Sequence, residues 1–102
     1  MDNGVSASAG MSEDFVLVID GDLDIATRDV ILHMVRDAIT STTDVGLDLS
    51  RVAFIDCAGL AGILQARKLA VEHGCRIRVA TASPAVWRLL TLTGTVATLT
   101  ER

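Results

Sequence analysis

The apolar residues of this chain fall in short blocks whose spacing switches between the two-residue period of a strand and the 3.6-residue period of a helix. Phe15-Val16-Leu17-Val18-Ile19 is a β-branched and apolar run closed by Asp20-Gly21, and it predicts a strand. From Ile25 to Thr40 the apolar residues Ile31, Met34, Val35, Ala38 and Ile39 recur at helical spacing, with Arg28, Asp29, Arg36 and Asp37 on the other faces. Asp24 precedes this run as an N-cap, since its carboxylate can accept the free N–H groups of a first turn. Val45, Leu47 and Leu49 alternate with Gly46, Asp48 and Ser50, the pattern of a strand with one wet face. Val52 to Ile55 then leads into Asp56-Cys57-Ala58-Gly59, where a helix marked by Leu60, Ile63, Leu64 and Val71 begins and Gly74 supplies a C-terminal cap. Cys75, Ile77 and Val79 alternate with Arg76, Arg78 and Ala80 as another half-exposed strand. Ser83-Pro84 starts a further helix with Val86, Leu89 and Leu90 as its buried stripe, Gly94 ends it, and Val96 to Leu99 is expected as a final short strand.

The order βαβαβαβ predicts a mostly parallel α/β sheet of four to five strands, the fifth an edge strand from the residues before Phe15. Right-handed crossovers that all step the same way place the helices mainly on one face. The charged alternation at Asp48, Arg76 and Arg78 agrees, because a sheet covered on both sides would read apolar throughout. At 102 residues there is room for one domain, expected over residues 15–102. Residues 1–14, rich in Ser, Ala and Gly, are expected to be a disordered leader and not a signal peptide, as they carry neither a basic region nor an apolar stretch.

Composition narrows the function classes. Half of the residues are hydrophobic but only Phe15, Phe54 and Trp87 are aromatic, so the core is built from Val, Leu, Ile and Ala. The net charge of −4 gives no electrostatic reason to expect nucleic acid or an anionic membrane surface as partner. No apolar run approaches the roughly 20 residues that span a bilayer, so membrane insertion is not expected. A cytoplasmic location with both cysteines reduced is the expectation.

Several residues invite catalytic readings. Asp20-Gly21-Asp22-Leu23-Asp24 after a strand resembles the D-x-D of aspartyl phosphatases, but few acids follow Lys68 to complete a metal site. A calcium loop is a poor fit, since Ile25 and Ile31 fall where the hinge glycine and distal glutamate belong. A phosphoacceptor receiver would pair Asp20 or Asp22 with Asp56, yet Thr81, Ala82 and Ser83 stand where a lysine is needed. Asp22 and Asp24 are more simply a tight turn and a cap. Cys57 opens a helix, where backbone N–H groups favour a thiolate, and is a candidate nucleophile or redox position. A catalytic dyad lacks its base: His73 ends the same helix about 24 Å away, and the same distance rules out a disulfide to Cys75. His33 and His73 read as helix-surface residues with no metal site. Trp87 lies off the Leu89/Leu90 stripe, with a core-edge position expected and an exposed partner anchor as the alternative. No enzymatic activity and no cofactor are expected.

The segment Asp48-Leu49-Ser50-Arg51-Val52-Ala53-Phe54-Ile55-Asp56-Cys57-Ala58-Gly59-Leu60 resembles the signature of STAS domains, an apolar strand and D-L-S-like turn leading to Asp-Ser-Ser/Thr-Gly-Leu at a helix start. Gly21-Asp22-Leu23-Asp24, similar to the family's G-E-L-D, and Ser83-Pro84-Ala85-Val86 agree in order and spacing. The resemblance covers residues 15 to 99 and implies the STAS (sporulation antagonist-like) fold. In the anti-sigma factor antagonist branch, the domain binds an anti-sigma factor with a kinase-type ATP-binding fold and frees a sigma factor. That kinase silences the antagonist by phosphorylating the serine after the aspartate. By resemblance the phosphoacceptor position falls on Cys57, followed by Ala58, and neither accepts phosphate from a serine kinase. The implied partner surface comprises Asp22, Asp24, Asp56, Cys57, Ala58, Gly59 and Leu60. The departure at Cys57 implies either an antagonist without this switch, with oxidation of the thiol as a substitute, or a STAS subunit of another assembly, in lipid transport or stress signalling. A homodimer is also compatible with this reading.

Overall fold

The computed structural model describes residues 15–100, in the order β1 (Phe15–Asp20), α1 (Arg28–Ala38), β2 (Asp44–Arg51), α2 (Cys57–Glu72), β3 (Arg76–Ala82), α3 (Pro84–Thr93) and α4 (Val96–Thr100). The expected leader, and any edge strand from it, lie outside the described residues. Three strands form one parallel sheet in the order β1-β2-β3, with Leu17 beside Leu47 and Leu47 beside Val79. The strand count among the described residues is therefore three, not four to five.

One missing strand has a clear cause. Val96 to Leu99 was expected to be extended because Val and Thr favour strands, but the segment is the short helix α4. Its two core-directed residues, Val96 and Leu99, stand three apart, which brings both to one side of a helix but to opposite sides of a strand. Gly94, in the left-handed region at φ 71°, caps α3, and the Leu99 N–H donates to the Thr95 carbonyl at 3.0 Å to close the new turn. Leu99 is thereby buried beside β3.

The core lies between the sheet and the α1–α2 pair. Alternate strand residues Leu17 and Ile19, Val45, Leu47 and Leu49, and Ile77 and Val79 meet Ile31 and Val35 of α1 and Ile63, Ala66 and Ala70 of α2. The two helices approach closely because Gly62 has no side chain: a Cβ there would stand 2.9 Å from the Arg28 Cβ. Val71, expected on the apolar face of α2, is instead 56% exposed.

The opposite sheet face is wet, as the alternation predicts. Asp48 Oδ1 accepts hydrogen bonds from the Ser50 hydroxyl (2.6 Å), the Thr81 hydroxyl (2.6 Å) and the Ser50 N–H (3.0 Å), tying β2 to β3. The Ser50 and Thr81 side-chain bonds hold the Asp48 carboxyl below its ordinary value of 3.8, against a smaller opposing effect of burial. Because the folded state favours the charged form, this group stabilises the fold above pH 3.8 and loses that contribution as pH falls through its folded value. Urea titrations of wild type and Asp48→Asn are expected to differ by less than about 1 kcal/mol at neutral pH, given solvent screening, and to draw together as pH falls through the folded value of Asp48.

Candidate functional site

The sheet's C-terminal end gathers the turn after β1, the β2–α2 connection and the start of α3. Gly21, at φ 131°, lets the chain turn sharply after β1. Leu23 then pairs in parallel with Ile55 as an isolated bridge: its N–H donates to the Phe54 carbonyl (2.9 Å), and the Asp56 N–H donates to the Leu23 carbonyl (3.1 Å). The predicted acidic turn and the predicted helix start are thus stitched together by backbone hydrogen bonds.

The helix tip is capped by Asp56, whose Oδ1 accepts the Gly59 N–H at 2.9 Å. Gly59 sits directly against the bridge. A Cβ at that position would stand 2.2 Å from the Leu23 carbonyl oxygen and 2.9 Å from its Cβ. On its other flank the β2–α2 segment is held by Ser83, which donates its hydroxyl to the Val52 carbonyl (2.6 Å), accepts the Val86 N–H (3.3 Å) and donates its own N–H to the Leu49 carbonyl (3.1 Å). Ser83 therefore caps α3 as expected and also anchors the neighbouring connection.

The residues named for this surface separate into two groups. Asp22 and Cys57 are exposed, and Asp24, Asp56 and Ala58 are half-buried. Gly59 and Leu60 are buried, so they shape the corner from beneath and present no side chain to a partner. Asp24 caps as expected but one turn early, accepting the Ala26 N–H (3.0 Å) and the Thr27 N–H (3.2 Å), while the regular helix starts at Arg28. Ile25, expected inside that helix, is instead displayed on the turn at 73% exposure.

A groove of about 430 Å³ adjoins the corner, between Ala53–Ile55 and the first turns of α3, with Phe54, Arg88 and Leu92 around it. Trp87, expected at the core edge, is half-exposed on the same helix. Sequence reasoning missed Ile25, Phe54 and Leu92 as surface residues, although Leu92 carries a signal: it projects well away from Val86 on a helix turning 100° per residue.

The two cysteines differ in access. Cys57 is exposed, whereas Cys75 is buried among the carbonyls of Thr42 (3.5 Å), His73 (3.6 Å) and Ile39 (3.9 Å). Among the described residues, no group of three or more His, Cys, Asp or Glu side chains is placed to hold a metal ion. No helix of the described residues is long and apolar enough to cross a membrane.

A family model described as Mlab, STAS domain, matches residues 7–100. The chain belongs to the STAS domain family. The match begins inside the segment expected as a leader. Solved structures share the fold: an anti-sigma factor antagonist from Mycobacterium paratuberculosis aligns with a TM-score of 0.75 and 20% identity over 97% of this chain and 86% of that one. The anti-sigma factor antagonist SpoIIAA in its unphosphorylated form gives 0.72 and 19% over 94% and 84%. The Bacillus cell fate determinant SpoIIAA in its phosphorylated form gives 0.67 and 18% over 94% and 87%. No curated protein matches the sequence significantly.

Two measurements check this STAS corner. Gly59→Ala is expected to cost about 1–3 kcal/mol in urea unfolding by forcing α2 off the bridge. Gly74→Ala, where no neighbour lies within 4 Å, loses only the left-handed preference, about 1 kcal/mol. Ellman's reagent is expected to titrate one thiol in the native protein and both in guanidinium, with Cys57→Ala removing the native signal.

Proposed function

We propose that this STAS domain is an anti-sigma factor antagonist, a binding protein and not an enzyme, which docks an anti-sigma factor on the corner formed by residues 22–24 and 56–58 and so releases a sigma factor. The observation that carries this reading is the bridge between Leu23 and Ile55, which brings the two motifs resembling the antagonists' signature into one rigid, outward-facing surface. Its exposed part includes Cys57 at the helix tip and Asp22 on the bridged turn, side chains open to a protein partner. The half-exposed Phe54 and exposed Ile25 add apolar area on either side.

SpoIIAA, with this fold, exists in phosphorylated and unphosphorylated forms. Phosphate at the first helical residue would place about two negative charges in a docking surface. Here that position carries the Cys57 thiol and the next the Ala58 methyl, so the antagonist is not silenced in this way by a serine kinase. The same absence of hydroxyls supports a second reading, a STAS subunit that keeps the docking corner within a lipid-transport or stress-signalling assembly and has no need of a phosphate switch.

The test is calorimetric titration of the purified chain with the anti-sigma factors of its source organism, followed by transcription assays with the cognate sigma factor. One anti-sigma factor is expected to bind and the sigma factor to be released, while Ala58→Arg weakens binding at least about tenfold with the fold retained. With the bound anti-sigma factor supplying the kinase activity, radiolabelled ATP is expected to label the hydroxyl of Cys57→Ser with release of ADP, and not to label the wild type. Binding to none of the anti-sigma factors, with capture of transport subunits instead, would replace the first reading by the second.

A further inference from the structure

Two surface features flank the Leu23–Ile55 bridge, and they complement one another in shape and charge. The first is Ile25, displayed at 73% exposure on a turn that cannot readily fold it inward. Besides the two N–H groups held by the Asp24 carboxylate, the Asp24 N–H donates to the Thr27 hydroxyl oxygen (3.1 Å), and that hydroxyl donates to the Asp22 carbonyl (2.7 Å). Thr27 itself is buried, so this network is locked into the body of the protein. The projecting isoleucine is bordered by carboxylates: Asp24 is used in the turn, but the exposed Asp22 carboxylate has no hydrogen bond or ion pair with any described residue.

The second feature is the groove beside Phe54. Its volume of about 430 Å³ exceeds that of one branched aliphatic side chain, and Ile55 and Leu89 give it an apolar lining. Leu92, 75% exposed, and Phe54, 49% exposed, extend that surface outward. Arg88, exposed on α3, is the one cationic residue lining it, and its guanidinium likewise makes no hydrogen bond or ion pair with a described residue. An apolar projection with an exposed carboxylate and an apolar groove with an exposed cation, neither paired among the described residues, are thus joined through the Leu23–Phe54 hydrogen bond. Adjacent, mutually complementary patches on one surface are what a reciprocal two-fold contact requires.

We infer that the occupant of this groove is a second copy of the chain: Ile25 of each copy seats in the groove of the other, and Asp22 of each faces Arg88 of its partner. The contact uses the end of the molecule on which the docking corner lies, so the self-associated form competes with binding of a foreign protein there. The inference itself stands on the complementarity of the two patches and is independent of which foreign partner the corner serves.

Sedimentation equilibrium of the full chain, from micromolar to millimolar concentration, tests it. A concentration-dependent monomer–dimer equilibrium is expected, with Ile25→Asp and Arg88→Glu each raising the dimer dissociation constant at least about tenfold. The charge exchange Asp22→Arg with Arg88→Glu is expected to return it to within about threefold of wild type, a recovery that general damage to the fold would not give. Circular dichroism verifies that each variant is folded. A monomer at every concentration would overturn the inference and leave the groove to a foreign protein. A dimer indifferent to both single substitutions, or no recovery in the double variant, would overturn it as well.

Discussion

The carbonyl of Leu23 is the point on which the candidate docking end of this molecule is built. It accepts the Asp56 N–H, and Gly59 packs directly over it, so two segments far apart in sequence meet at a backbone contact with no room for a side chain. Sheet, turn and helix tip are consequently fixed relative to one another by main-chain geometry, which tolerates little drift. The Asp56 cap depends on the same arrangement, since its carboxylate can reach the Gly59 N–H only when α2 starts where the bridge puts it. A surface so held loses little conformational freedom when another protein docks on it, which favours affinity without adding contacts.

The sequence made much of this readable because several signals were local and chemically specific. Asp56 and Ser83 are N-caps with the residue types that capping favours, and Pro84 stands at the first helical position. The alternation in β2 and β3 marked one wet sheet face, and Asp48 lies there bonded to Ser50 and Thr81. What was not readable depended on tertiary position. Ile25 has the apolar character of a helix residue, and only the early cap by Asp24 leaves it outside. The residue types of Val96 to Leu99 fit a short strand, and only the packing of both Val96 and Leu99 on the core, three residues apart, decides for a helical turn. The pairing of Leu23 with Ile55 joins single residues, too short a contact to leave a periodic trace.

The identity of residues 57 and 58 matters because the rest of the corner is kept. Cap, glycine and buried leucine build the corner, while the exposed Cys57 thiol and the half-buried Ala58 methyl stand at its surface and carry no hydroxyl. Shape and switch are therefore separable here: the residues that build the platform are distinct from those that would receive a modification.

The wet face of the sheet has a consequence for how the molecule meets its neighbours in solution. Asp48, Arg76 and Arg78 stand on it, and the Arg78 guanidinium reaches to 3.9 Å from where a Cβ on Gly46 would lie. Stacking a second sheet there would strip water from these ionic groups, a cost that the half-buried Val16 and Val18 on the same face reduce but do not remove. Face-to-face layering is thus discouraged on one side by the charges and blocked on the other by α1 and α2, so neither face of the sheet invites a second one.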